Sequence, residues 1–64
     1  MNRNTKLEIA VEIMAAKIAK TSREGINPED EKMRELLNEK IKMYQGDEEI
    51  IDKIINIYGK EVKN

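Results

Sequence analysis

Glycine and helix-capping residues punctuate this chain so regularly that they leave room for one architecture. Thr5-Lys6-Leu7-Glu8 has the form of a capping box, in which Thr5 accepts from the Glu8 amide and Glu8 reaches back. Gly25-Ile26-Asn27-Pro28 combines a helix stop, a good N-cap and a favoured first helical residue. Gly46-Asp47 repeats the stop and start within two residues. The marks predict helices over about 6–24, 28–45 and 48–58, with 60–64 as a frayed tail after Gly59. The expected fold is therefore all-α, a single small domain over 1–64. Short connections favour antiparallel neighbours, so helices 1 and 2 form a hairpin. The third helix packs across it or exchanges between subunits of a dimer.

The apolar spacing agrees with the punctuation. Leu7, Ala10, Val11, Met14 and Ile18 form one stripe on helix 1. Ile9, Ile13 and Ala16 form a second row about 100° or more around the axis. Lys6, Lys17 and Lys20 lie beside that second row, where their stems can cover it and their ammonium groups stay wet. Helix 2 shows Met33, Leu36, Leu37, Ile41 and Tyr44. Helix 3 spreads Ile50, Ile51, Ile54, Ile55, Ile57 and Tyr58 over a wide face. Glu29, Asp30 and Glu31, and again Glu48 and Glu49, are expected in first turns, where the helix dipole favours negative charge.

With 64 residues the chain is near the lower limit for a self-sufficient core. Its apolar content is mostly aliphatic, with ten isoleucines and no Phe or Trp, and its charge is balanced at 12 basic against 13 acidic residues. Disordered chains carry fewer large aliphatics and a larger net charge, so a folded domain is expected. Cys and His are both absent, which excludes disulfides and zinc as supplements to the core. Self-association is the supplement left open. The apolar stretch from Leu7 to Ala19 is interrupted by Glu8, Glu12 and Lys17, unlike an export signal or a membrane span, so a cytoplasmic location is expected.

The same inventory argues against chemistry. No His or Cys is present to build a nucleophile–base pair, and the three glycines are isolated, so no phosphate-cradling loop exists. The acidic clusters lack the alternating oxygens and glycine of a calcium loop. No catalytic residue, metal or cofactor is expected. A helix-turn-helix reading meets the acidic opening of helix 3, Asp47, Glu48, Glu49 and Asp52, which would face phosphates. The basic stripe Lys6, Lys17 and Lys20 could touch backbone phosphates, which makes weak nucleic-acid binding the alternative function. Gly25 with Asn27-Pro28-Glu29, followed by Met33, Leu37, Ile41 and Tyr44, is similar to the turn and second-helix rhythm of a family of small sporulation phosphatases. Those are helical hairpins that act on a response regulator. The likeness covers about a third of the chain. Their Ser-Gln-Glu-Leu-Asp signature would fall on Arg34-Glu35-Leu36-Leu37-Asn38, which does not match, so no active residue carries over.

The leading expectation is a non-enzymatic interaction or regulatory module, acting as a homodimer or on another protein. Its candidate interface is Ile9, Ile13 and Ala16, a row that could equally serve as core of the monomer. An adaptor role for the acidic edge Glu48, Glu49 and Asp52 is the third reading.

Overall fold

The computed structural model describes residues 3–63, all of them in helices or in the two turns that join helices. Helix α1 spans Arg3–Arg23 and α2 spans Glu31–Tyr44. The third helical segment, α3, is continuous but built of three stretches: α-helical Glu48–Lys53, a π-helical turn Ile54–Tyr58, and α-helical Gly59–Lys63. The result is the expected small three-helix bundle, with α3 packed on the hairpin. The path is up, down, up. Lys6 reaches Asp52 and Lys17 reaches Glu61, so α3 runs alongside α1 in the same direction.

The turns work largely as their residues dictate, with shifts at three ends. Gly25 and Gly46 adopt φ of 90° and 86°. At Gly46 the Asp47 amide donates to the Lys42 carbonyl and the Gly46 amide to Met43, the paired bonds of a Schellman stop. Asp47 then caps α3, accepting from the Ile50 amide at 3.2 Å. Asn27, expected as the N-cap of helix 2, instead opens a turn. Its side chain accepts from the Glu29 amide, and its carbonyl accepts from the Asp30 amide. Asp30 is the cap, accepting from the Lys32 amide at 3.0 Å. The reason is that Pro28 suits the second position of a turn as well as it suits a first helical residue, and Asp30 caps as well as Asn27. Of the acidic triplet, only Glu31 therefore sits in the first turn. Thr5 lies within α1 rather than ahead of it, because neither Arg3 nor Asn4 breaks a helix.

The third correction is Gly59. It does not stop the helix but continues it at φ −58°, buried, and residues 60–63 are helical rather than frayed; Asn64 lies outside the described residues. Here the missing side chain serves proximity. A Cβ on Gly59 would stand 3.2 Å from the Ile13 Cδ1, a tight contact that the missing side chain avoids where α3 lies against α1. The π turn serves the same end. The Gly59 amide donates to the Ile54 carbonyl five residues back, and the wider turn sets the following residues back around the axis.

Ala10, Met14, Met33, Leu36, Met43, Ile51 and Ile54 form the buried core. On α2 the inward row is Met33, Leu36, Glu39 and Met43, whereas Ile41 and Tyr44 of the expected stripe are exposed. On α3, Ile57 likewise faces out.

Gly25 offers a clean test of the first turn, because nothing lies within 4 Å of where its Cβ would be. Gly25→Ala should cost about 1–2 kcal/mol from the left-handed backbone alone. Chemical denaturation with an unchanged m-value checks it.

Candidate functional site

Two places in the fold gather side chains in ways that helix packing alone does not require. The first is polar. Glu39 projects from the inward row of α2 and is 9% exposed. Its carboxylate accepts from the Tyr58 Oη at 2.6 Å and from the Lys53 Nζ at 2.5 Å. Both donors come from α3, so the cluster ties the second helix to the third. Lys17 of α1 joins from the other side. Its ammonium lies 5.5 Å from the Tyr58 ring centroid, as does that of Lys53, and it pairs with Glu61 at 2.6 Å. Cations over an aromatic face are attracted by its quadrupole.

The protonation of this cluster follows from its contacts. The hydrogen bond to Glu39 is the largest cause holding the Lys53 pKa above its ordinary value, against some loss to burial. Burial raises the Tyr58 pKa first, and the Glu39 carboxylate raises it further. Both shifts move away from neutral pH. Tyr58 is thus a phenol that donates and Lys53 an ammonium that donates, and neither is tuned to accept a proton at pH 7. Glu39 is a buried charge with its donors in place, which makes the cluster a clamp between helices.

The second place is apolar. α3 covers one side of the hairpin, and on another side α1 and α2 leave a groove of about 470 Å³. Its α1 wall is Val11, Ala15, Ile18 and Ala19; its α2 wall is Met43 and Tyr44. Ala15 and Ala19 are exposed and Val11 and Ile18 half-buried. Tyr44 is 60% exposed, with Ile41 at 53% one turn before it. Lys40 is the one charged residue among those lining the groove. A further hollow of about 380 Å³ at the α1–α2 turn is lined by Lys17, Lys20 and Lys32 against Glu24, Glu35 and Glu61, a mixture with no net sign.

The residues singled out from sequence go elsewhere. Ile13 packs against the core beside Gly59, Ile9 is half-buried and Ala16 is exposed. Lys6 pairs with Asp52 at 3.1 Å, Lys17 with Glu61, and Lys20 donates to the Glu61 carbonyl at 3.3 Å. Of the second row, Ile13 meets α3 at Gly59, and the three lysines bond to Asp52 and Glu61 of α3. Of the acidic edge, Asp52 is taken up by Lys6, while Glu48 and Glu49 stand exposed in the first turn of α3. Among the described residues, no three His, Cys, Asp or Glu side chains stand together as a metal site, and no helix is long and apolar enough to cross a membrane.

Sequence reasoning missed Glu39. Its signal was present: it lies three residues after Leu36 and four before Met43, on the face those two bury. No protein-family profile, curated protein or solved structure matches this chain.

Proposed function

We propose that this protein is a small interaction module that works by docking rather than by chemistry, and that it docks through the open groove between α1 and α2. One observation carries the reading. Tyr44 is 60% exposed on the α2 wall of a groove whose α1 wall is Val11, Ala15, Ile18 and Ala19. Contiguous apolar surface of this kind marks binding sites on small monomers. The overall surface points the same way. The chain exposes 4705 Å², whereas a compact monomer of its mass exposes about 4,200–4,300 Å². The alternative, phosphate binding by Lys6, Lys17 and Lys20, draws no support from the geometry, since each already has a partner on α3.

Ala15→Glu and Tyr44→Ser test the reading. Both positions are exposed, so each variant should keep its helix content and stay within about 0.5 kcal/mol of the parent in denaturation. Each should also abolish association through the groove, measured as the loss of concentration-dependent shifts in the amide spectrum of residues 11–22 and 41–44. A loss of several kcal/mol would make the face part of the monomer's core, and unaltered association would move the docking surface elsewhere.

A further inference from the structure

We infer that the groove is occupied by a second copy of this chain, with the two α1 helices crossing antiparallel about a two-fold axis beside Ala15. The inference rests on the docking reading above and adds the partner and its register. Three features carry it.

The first is charge. The exposed edge of α1 next to the groove is acidic in its first half, at Glu8 and Glu12, and basic at its end, at Arg23. An antiparallel pair centred at Ala15 lays residue 8 against the partner copy's residues 22 and 23. Glu8 then meets Arg23 twice, once on each side of the axis. A parallel pair would bring both acidic first halves to one end and both Arg23 to the other, with no opposite charge for α1 to meet at either end.

The second is shape. Ala15 and Ala19 are exposed on the facing surface, Ser22 lies one turn on, and Val11 and Ile18 flank them. Small residues at a crossing let helix axes approach to about 8 Å. The partner copy's helix then lies between the α1 wall and Tyr44.

The third is extent. Residues 8–23 of α1 span about 24 Å, and two adjacent helices are about 20 Å wide. Each copy therefore contributes on the order of 500 Å², which totals near 1,000 Å². That lies at the low end for specific interfaces, and the association expected is micromolar rather than nanomolar.

Sedimentation equilibrium between 1 and 500 µM should show a dimer forming across that range. Glu8→Arg and Arg23→Glu should each weaken it about ten-fold, because each variant homodimer holds two like-charge pairs. An equimolar mixture of the two should recover the parental association, since the mixed dimer has both pairs matched. The chain has no cysteine, so Ala15→Cys gives an independent readout, a disulfide-linked dimer under mild oxidation. A monomer at 500 µM would overturn the proposal and leave the groove to a different protein. A dimer that the mixture does not restore, and that Ala15→Cys does not cross-link, would overturn the antiparallel register. A dimer indifferent to Ala15→Glu and Tyr44→Ser would overturn the groove itself.

Discussion

Ile54→Ala should unfold a large fraction of the protein at 37 °C, while Ile57→Ala, three residues on, should pass almost unnoticed. Ile54 has no exposed surface and sits in the first position of the π turn, where α3 meets the core. Truncating a buried isoleucine removes its transfer free energy and leaves a cavity, at about 2–5 kcal/mol. Met14 and Met43, each 1% exposed, belong to the same core, so the cavity would open among buried side chains. A domain of this size loses about 4–8 °C in Tm per kcal/mol, so the expected fall is on the order of 15 °C or more. Ile57 is 50% exposed, and its truncation should cost about 0.5 kcal/mol or less. Thermal melts of the two variants side by side check both halves. Comparable losses would mean that α3 runs as regular α-helix with a different face inward.

That contrast marks where the residues stop speaking for themselves. Glycine stops and aspartate caps are decided within four or five residues, so Gly25, Gly46 and Asp47 could be read directly. The rotation of a helix about its own axis is decided by its neighbours. Five isoleucines and Tyr58 crowd within nine residues of α3, and periodicity could not say which would face out. The π turn answers that question, and it exists because two tertiary fits agree. It delivers Tyr58 to Glu39, and it delivers Gly59 to Ile13. Neither partner is local.

The same reasoning explains the candidate face. Ile9, Ile13 and Ala16 drew attention as a surplus apolar row, and α3, with Gly59 at the contact position, takes up Ile13 of it. The surplus then reappears on the far side of α1. Val11 and Ile18 belong to its main stripe, yet α2 turns Glu39 and Met43 inward and leaves Tyr44 outside. The inward row Met33, Leu36, Glu39 and Met43 sets the rotation of α2, and that rotation leaves Ile41 and Tyr44 exposed.

Removing the Glu39 carboxylate should be costly and should change how the protein responds to alkali. Glu39→Ala leaves the Tyr58 hydroxyl without its acceptor and opens a gap beside the core, an expected loss of about 2–3 kcal/mol at pH 7. Glu39→Gln keeps an acceptor for Tyr58 but surrenders the charge facing Lys53, and should cost about 1 kcal/mol. Parent and Glu39→Gln differ most usefully above pH 9. Lys53 and Tyr58 both have pKa values raised by folding, the first chiefly by Glu39 and the second by burial and then Glu39. Each binds its proton more tightly folded than unfolded, so its stabilisation is complete below the unfolded value. It is lost as pH rises through the folded one. The parent's Tm should hold from pH 7 to about 9.5 and then fall through the range where Lys and Tyr titrate. Glu39→Gln should start lower and fall less steeply, since the larger cause at Lys53 is gone while the burial of Tyr58 remains. In a Tyr44→Phe background, the phenolate absorbance reports Tyr58 alone, and its midpoint should stand above 10.0 and move down in Glu39→Gln. Parallel alkaline declines in parent and Glu39→Gln, with an unmoved Tyr58 midpoint, would detach Glu39 from both donors and remove the clamp between α2 and α3.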